Sequence, residues 1–546
     1  MIRDDLRTAL RRALDTAGLP EPPKGVALDP ARSREHGDWA TNVAMVLAKA
    51  VGRPPLVVAG EIKGALEQAE VPHLARVEVA PPGFVNLFLA PTWLHEVVRA
   101  VVAAGATYGT SDELSGRRVN LEFVSANPTG PLHAGGGRWV AVGDAIANLL
   151  AAQGAEVHRE YYLNDAGNQL DLFRDSLYAR YRGEEPPEDG YQGEYLVALA
   201  RELHEELGDD VSPDDAREWG YRRIVQGLQD DLGRIGVHFD TWFSERTLHE
   251  RGRVDDVLAQ LRERGYVYDR DGAVWIRTTD FGDQRDRVLV KSDGNKTYLC
   301  TDYAYHRGKF ERGFTHLIDI WGADHHGQVK SLQAGLEALG FAPGEPEIIL
   351  GQFVKVMKDG REVRMSKRAG NIVTLADILD EVDPDVARMT FLLQGIDSAQ
   401  TFDLDVVTEQ SMENPVYYVQ MAHARIASIG RRAAERGVTR VPLADANLAL
   451  LTHEREDELM RSLSAYPDAV HEAAETRAPQ KISTWMRDFA RAFHGFYHDC
   501  RVLTDDAELT QARLWLTEAA RIGLANALGL LGVNAPEEMA KLEDGE

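Results

Sequence analysis

Two short loops of the sequence combine glycine with side chains that can bind a phosphate. The first, "PTGPLHAGGGRW" at residues 128–139, places His133 two residues before a run of three glycines. The second, "VRMSKRAGN" at residues 363–371, crowds Ser366 and Lys367 into a glycine-containing stretch. An imidazole, an ammonium group and backbone N–H groups all favour an anion. The two loops therefore indicate chemistry on a phosphate, with a purely structural turn as the alternative for each.

The first loop lies between a predicted strand and a predicted helix. Upstream, "RVNLEFVSAN" alternates Val119, Leu121 and Phe123, which is typical of a half-buried strand. Downstream, "WVAVGDAIANLLAAQGAEV" repeats apolar residues at helical spacing. The N–H groups and the dipole at the start of such a helix favour an anion. We therefore expect the glycines to let a phosphate approach the backbone.

Structural signals also surround the second loop. Asp359 and Gly360 predict a tight turn after a strand, and Thr374 with Asp377 predicts a capping box that begins a helix. Cations in such a loop can move onto a phosphate as negative charge develops there. Two common phosphate loops are excluded, since the chain has no GxxxxGK[ST] and the glycines at 135–137 lack the third small residue of a dinucleotide fingerprint.

The remaining patterns predict an α/β domain between two others. Strand-like and helical runs alternate through residues 111–384, which predicts a parallel sheet with crossover helices. Within it, about 170–265 is predicted to be a helical insertion. Residues 1–110 combine helices with short strands in an α+β domain, and helical periodicity dominates 385–546, an all-α helical bundle.

Composition is that of an ordinary globular protein, with 44% hydrophobic and 27% charged residues in 546. The net charge of −26 argues weakly against nucleic-acid binding, unless basic residues are concentrated on one face. Cys300 and Cys500 are far apart and no CxxC occurs, so we expect neither a disulfide framework nor a structural zinc. Without a signal peptide or an apolar run of roughly 20 residues, we expect a cytoplasmic protein with no membrane association.

The two loops resemble the HIGH and KMSKS signatures of class I aminoacyl-tRNA synthetases. Two positions depart from those signatures, since Gly136 stands at the second histidine of HIGH and Arg364 at the first lysine of KMSK. Further segments are similar to bacterial-type arginyl-tRNA synthetases over nearly the whole chain. They are "GDWATNVAMVLAK" (37–49), "TYLCTDYAYH" (297–306), "WGADHHG" (321–327), "TFDLDVV" (401–407), "NPVYYVQMAHARI" (414–426) and "LGLLGVNAP" (528–536).

The resemblance implies an arginine–tRNA ligase that uses ATP to form arginyl-adenylate and then transfers arginine to the 3′ end of tRNA. It implies a Rossmann-like catalytic domain, an N-terminal domain that contacts tRNA and a helical anticodon-binding domain. The expected partners are tRNA(Arg), L-arginine and ATP with Mg²⁺, and we expect a monomer.

By the same resemblance, His133 and Lys367 are the candidate catalytic residues. The candidate ATP-binding residues are His133, Gly135, Gly136, Met365, Ser366, Lys367, Asp324 and His325. The candidate arginine-binding residues are Glu122, Asn127, Tyr298, Asp302 and Asp324. The candidate tRNA-binding residues are Tyr417, Gln420 and Arg425.

Several of these residues also have a purely structural interpretation. Glu122 is predicted at the carboxyl edge of the sheet, where open α/β sheets bind ligands. Tyr298 and Asp302, four residues apart, share one face if their segment is helical, and are otherwise a surface pair. Asp324, His325 and His326 are residue types that can bind a metal ion. No matching ligands are evident in another segment of the sequence, so we predict no metal site. In the helix with Tyr417, ordinary packing and base stacking remain alternatives.

Two other functions stay open on the sequence. A smaller nucleotidyltransferase that makes an adenylate for metabolism would share both loops, although it would not need the long helical C-terminal region. A catalytically weak or inactive paralogue that only binds tRNA is kept open by Gly136.

Overall fold

The computed structural model describes residues 2–31, 33–363, 373–409 and 411–539. Met365, Ser366 and Lys367, predicted to serve ATP, lie outside the described residues, as does Arg364. The chain divides into two compact units. The first comprises Met1–Gly105, Ala433–Ser464 and Gly495–Ala520, and the second Ala106–Arg432, Ala465–His494 and Arg521–Glu546.

The N-terminal part of the first unit is an α+β fold, as predicted. Its elements are α1 (Ile2–Thr16), β1 (Asp29–Pro30), β2 (Trp39–Thr41), α2 (Val43–Val51), α3 (Pro55–Gln68), β3 (Leu74–Ala80), β4 (Phe84–Leu89) and α4 (Thr92–Ala104). The four strands form an antiparallel sheet in the order β1-β2-β4-β3. Helix α1 buries Leu6, Leu10 and Leu14 along one stripe, because residues three or four apart share a helix face.

The second unit contains a five-stranded parallel sheet in the order β12-β11-β5-β6-β7. Its strands alternate with helices, which confirms the Rossmann-like prediction. From residue 106 to 407 the elements are β5 (Arg118–Glu122), α5 (Gly136–Ala152), β6 (Glu156–Leu163), α6 (Asn168–Tyr181), α7 (Glu194–Leu207), α8 (Pro213–Arg234), β7 (Thr241–Ser244), α9 (Arg246–Glu250), α10 (Arg253–Glu263), β8 (Val267–Arg270), β9 (Ala273–Ile276), β10 (Arg287–Val290), α11 (Tyr298–Glu311), β11 (His316–Gly322), α12 (His326–Ala338), β12 (Glu347–Gly351), β13 (Val354–Lys358), β14 (Arg361–Glu362), α13 (Leu375–Glu381), α14 (Pro384–Phe391), β15 (Gln400–Asp403) and α15 (Leu404–Val407).

The C-terminal region is helical, as predicted. Its helices are α16 (Pro415–Glu435), α17 (Glu454–Ser464), α18 (Tyr466–Glu475), α19 (Gln480–Asp499) and α20 (Ala507–Leu530). Within the part of the chain that the structure describes, no single helix is long and apolar enough to cross a bilayer. Helices α2 and α3 meet that length and hydropathy criterion only as a pair, bent by 117°.

Strand β5 differs from the sequence prediction, because it is buried on both faces. The alternation of Val119, Leu121 and Phe123 predicted a half-buried strand, but Asn120 and Glu122 between them are buried as well. The reason is position, since β5 lies in the middle of the sheet between β11 and β6. Polar residues on its second face are therefore removed from water and must find partners inside the protein.

Two further segments differ from prediction. The run "EIILGQFVKVM" is two strands, because β12 ends at Gly351 and β13 begins a separate sheet with the order β14-β13-β15. The segment from about 170 to 265 is largely helical, but it contains β7, the edge strand of the parallel sheet. A strand of four residues is too short to show a period of two.

Helix α5 packs closely on β5 at Gly143. A Cβ atom at Gly143 would overlap the ring of Phe123, which is fully buried. Gly227, inside α8, has no heavy atom within 4 Å of the corresponding position. A side chain at position 143 would therefore clash with Phe123, whereas a side chain at position 227 would have free space.

We predict that Gly143→Ala lowers the melting temperature of the protein by several degrees, since overpacking a buried contact costs about 1–3 kcal/mol. Gly227→Ala is the matched control and should raise it slightly, because alanine gains about 0.5–1 kcal/mol over glycine inside a helix. Thermal unfolding followed by circular dichroism checks both. Equal effects of the two substitutions would contradict the close approach of α5 to β5.

Candidate active site

The candidate residues collect at the carboxyl edge of the parallel sheet. Glu122 is the last residue of β5, Asp324 follows β11 by two residues, and Glu245 comes directly after β7. Ligands of open α/β sheets bind at this edge, outside the carboxyl ends of the strands.

The histidine loop is paired with the residues that come directly after the second loop. His133 forms an antiparallel bridge with Thr374, and the N–H of Ala134 donates to the carbonyl of Val373 at 2.9 Å. Residues 364–372 lie outside the described part of the chain, but the segment that follows them is paired with the histidine loop. The structure therefore brings the segment that follows the second loop to the histidine loop.

Both structural signals around the second loop are confirmed. Asp359 and Gly360 have φ values of 53° and 67° and join β13 to β14 in a hairpin. Thr374 caps α13, since its hydroxyl accepts from the N–H of Asp377 at 3.0 Å and the Asp377 carboxylate accepts from the N–H of Thr374 at 2.8 Å.

The N–H groups of the three glycines turn inward. Gly135 donates to Nδ1 of His133 at 2.9 Å, Gly136 donates to the carbonyl of His133 at 2.7 Å, and Gly137 donates to the carbonyl of Ala134 at 3.0 Å. Because Nδ1 of His133 accepts, the proton of the neutral imidazole lies on Nε2. The donor that this loop offers is the histidine ring, rather than the glycine N–H groups that we expected.

The close neighbours of the glycines are protein side chains. A Cβ atom on Gly136 would lie 2.9 Å from Cδ1 of Leu132, and one on Gly137 would lie 2.8 Å from the ring of Phe391. These contacts explain the need for glycine at both positions without a phosphate.

Tyr298 and Asp302 lie one turn apart at the start of α11, which confirms that they share a helix face. Tyr298 is exposed. The carboxylate of Asp302 has no hydrogen bond or ion pair with any residue that the structure describes. Burial, together with the carboxylates of Glu122 and Glu245, raises the pKa of Asp302 to about 7 against the opposing effect of His306.

Sequence reasoning missed Glu245, a buried residue that faces Asp302. Burial raises the pKa of Glu245, and the hydroxyl of Tyr162 lies beside its carboxylate. The signal was hidden because Glu245 follows β7, a strand inside the segment predicted to be helical.

Glu122 has partners. Its carboxylate accepts from Nζ of Lys309 at 2.7 Å and from the hydroxyl of Ser125 at 3.0 Å. Lys309 also donates to Asp319 at 2.9 Å. Glu122, Asp319 and His306 are close enough to share a metal ion, but the ammonium of Lys309 lies among them and neutralises the two acids. This cluster therefore does not fit a bound cation.

The other candidates for the small substrates lie in varied surroundings. The side-chain N–H of Asn127 donates to Gln169 at 2.6 Å. Asp324 and His325 are exposed, and the ring of His325 lies 6.2 Å from that of Trp321.

The three candidates for tRNA lie on α16. Tyr417 and Gln420 are buried, whereas Arg425 is partly exposed and pairs with Nδ1 of His494 at 3.1 Å. Burial of Tyr417 and Gln420 favours the packing alternative for these two residues.

Three family models match successive parts of the chain. They are "Arginyl tRNA synthetase N terminal domain" over residues 4–89, "tRNA synthetases class I (R), catalytic domain" over 97–427 and "DALR anticodon binding domain" over 419–539.

Curated relatives match over nearly the full length. An arginine–tRNA ligase of Moorella thermoacetica is 47% identical and one of Syntrophotalea carbinolica is 46% identical, each with 97% of both chains covered. Among solved structures, Thermus thermophilus arginyl-tRNA synthetase aligns with a TM-score of 0.77 at 22% identity, over 99% of this chain and all of the other, which shows a common fold.

We predict that Asp302→Asn stabilises the unliganded protein at pH 8. A carboxyl group whose pKa is about 7 when folded and about 3.9 when unfolded costs stability as pH rises between these values, and the full cost is present above pH 7. The substitution should therefore raise the melting temperature more at pH 8 than at pH 5. The exposed Asp324→Asn is the control. A gain independent of pH would contradict an uncompensated acid at Asp302.

Proposed function

Because this chain belongs to the arginyl-tRNA synthetase family and attaches arginine to tRNA, we propose that Asp302 binds the guanidinium group of the arginine substrate. The observation that carries the proposal is the carboxylate of Asp302, which has no partner among the described residues and whose pKa is raised to about 7. A guanidinium is always protonated and matches a carboxylate with two parallel N–H donors. It would supply the hydrogen-bond donors and the ion pair that the Asp302 carboxylate itself lacks among the described residues.

Glu245 is the second guanidinium partner in this proposal. It is buried, it adds negative charge at Asp302, and Tyr162 lies beside it as a further hydrogen-bonding group. Exposed Tyr298, on the same helix face as Asp302, would cover the entrance. Two carboxylates also favour arginine over lysine, because the guanidinium presents a planar fork of donors whereas the lysine ammonium is a compact charge.

Glu122 and Asn127 serve the other end of the amino acid in our proposal. Lys309 occupies one oxygen of Glu122, so this acid is less suited to a guanidinium than Asp302. Asn127 follows the strained residues Val124 and Ser125, whose φ values are 70° and 39°. Such strain at a sheet edge is typical of a position held for a ligand, and we assign Asn127 to the substrate amino group.

We assign the ATP end to His133, Gly135 and Gly136 of the first loop and to Asp324 and His325 after β11. Met365, Ser366 and Lys367 are assigned to ATP on the resemblance of their sequence to the KMSKS signature. The arginine carboxylate attacks the α-phosphorus of ATP in line, and pyrophosphate leaves with its Mg²⁺. A terminal hydroxyl of tRNA then attacks the adenylate carbonyl, and AMP leaves. Neither step needs a covalent enzyme intermediate, so positioning and charge stabilisation carry the catalysis.

We further propose that the enzyme is a cytoplasmic monomer, as expected from the sequence. The N-terminal domain and the helical C-terminal domain would both contact tRNA, with Tyr417, Gln420 and Arg425 as the first residues to test in the latter. The boundaries near residues 110 and 384 remain a prediction that limited proteolysis can check.

Asp302→Asn should raise the KM for arginine by roughly 100-fold or more, because breaking a buried charge pair costs about 3–5 kcal/mol. It should also narrow the preference for arginine over citrulline, since citrulline lacks the charge that the carboxylate stabilises. The KM for ATP should change little. Pyrophosphate exchange in the presence of tRNA measures all three. Asp271→Asn, at an exposed turn, is the control. An unchanged arginine KM would place the guanidinium elsewhere.

Lys367→Ala should lower kcat by about a hundredfold with little effect on the KM for arginine. A cation that stabilises developing phosphate charge acts mostly in the transition state, and loss of one such donor costs about 3 kcal/mol. Lys358→Ala removes an exposed cation from β13 nearby and is the control. A near-normal kcat in Lys367→Ala would indicate that Lys367 belongs to a purely structural turn and does not act in catalysis.

A further inference from the structure

A second pocket lies on the side of α11 opposite Asp302. Its volume is about 380 Å³, and it is lined by α9, α10, β7 and the half of α11 that contains Ala304, Gly308 and Glu311. Residues 302 and 311 are nine positions apart, which places them on opposite helix faces. The volume lies within the usual range of ligand pockets, about 300–1,000 Å³.

Arginine dominates the charged lining of this pocket. Four guanidinium groups face one carboxylate: the group comprises Arg251, Arg253, Arg307, Arg312 and the acid Glu311. We call it the arginine pocket. A concentration of positive charge at one place is unusual in a chain whose net charge is −26.

The single acid of the arginine pocket does not neutralise its cations. Glu311 accepts from Nε of Arg307 at 2.8 Å, and its other oxygen lies 3.8 Å from Arg253. Arg253 has a second acid, Asp256, at 3.9 Å. Arg251 is exposed and has no ion pair with any residue that the structure describes. The pocket therefore keeps a positive excess that an anion would balance.

The base of the arginine pocket is apolar and fixed. Leu248 is buried, and Phe243 stacks beside Tyr162 with ring centroids 6.1 Å apart. The guanidinium of Arg312 lies 5.5 Å above the Phe243 ring and pairs with both oxygens of Glu160, at 2.5 and 2.8 Å. Glu160 satisfies Arg312, and Glu311 satisfies Arg307. The groups available to a ligand above the apolar base are therefore Arg251 and Arg253, since the nearest acids lie 3.8 and 3.9 Å from Arg253.

We propose that the arginine pocket binds a nucleotide phosphate, carried either by tRNA or by a free nucleotide. Guanidinium groups bind phosphate oxygens through paired N–H donors, and the apolar base suits a sugar or a base ring. The enzyme meets both sources of this chemistry during its reaction. The proposal is independent of the guanidinium site at Asp302.

The test compares two double variants with the same change of charge. Arg251→Ala/Arg253→Ala removes from the arginine pocket the two cations that have no close ion pair. Arg262→Ala/Arg270→Ala removes two exposed arginines of the same region that lie outside the pocket lining and pair with their own acids. Melting temperatures establish that both fold, and Arg251→Ala alone replaces the first if the double variant is unstable.

Two measurements separate the sources. In the first, the Kd for tRNA is followed from 50 to 200 mM salt. If tRNA fills the pocket, the pocket variant binds tRNA about fivefold or more weakly at the lowest salt, and the slope of log Kd against log salt falls by roughly 1.4–1.8, as expected for two lost phosphate contacts. In the second, AMP is titrated calorimetrically with the active site filled by a non-hydrolysable arginyl-adenylate analogue. If a free nucleotide fills the pocket, AMP binds the filled enzyme and the pocket variant loses that binding.

The proposal is overturned if AMP does not bind the filled enzyme and the pocket variant binds tRNA like the control variant, with the same salt slope. An equal loss of tRNA affinity in both variants also overturns it, because the loss would then follow from the removal of positive charge in general and not from the removal of the pocket. The KM for arginine should stay normal in both variants, so a failure here is distinct from a failure of the Asp302 assignment.

Discussion

The fully buried ammonium group of Lys309 is the interaction on which the catalytic sheet depends. It joins Glu122 at the end of β5 to Asp319 on β11, and it comes from α11, so one cation ties a helix to two neighbouring strands. Burial alone would lower the pKa of Lys309, but Asp319 and Glu122 hold it above the ordinary value. Removing one partner of such a buried group costs about 3–5 kcal/mol, because the remaining charge is left without compensation.

That arrangement also explains the charge of the substrate site. Lys309 is paired with Glu122 and Asp319, and Arg312 with Glu160, so these internal cations are already committed. Asp302 has no ion pair of its own among the described residues, and the one positive group that acts on it, His306, is hydrogen-bonded to Asp319. A protein whose own cations are committed in this way has a negative pocket of fixed geometry. Such a pocket stabilises one added cation and disfavours a neutral analogue of it.

The sequence correctly predicted the features that depend on patterns among neighbouring residues. Period-two alternation located β5, and the capping box at Thr374 was correct to the residue. The family resemblance identified both loops, and relatives along the whole chain support neither the metabolic nucleotidyltransferase nor the inactive paralogue. Lys309 could not be found in this way. In the sequence it is one more charged residue of a helix, and its partner Glu122 lies 187 positions away.

The same limit applies to the glycines of the first loop. Their number indicated a bound phosphate, but Gly137 is required by Phe391, more than 250 residues later in the chain, and Gly136 by Leu132. Composition alone cannot distinguish a ligand from a side chain as the group that approaches a backbone.

Gly136 affects how the two loops would divide the stabilisation of charge on the ATP phosphates. A side chain there would require Leu132 to shift, and the N–H of Gly136 is bonded to the carbonyl of His133. The start of α5 therefore offers the phosphates one imidazole where the HIGH signature has two. The bridge between His133 and Thr374 places the residues that follow the second loop beside that imidazole. With fewer donors on the first side, more of the charge developing on the phosphates must be balanced from the second, which is why a single cation at residue 367 is expected to matter so much.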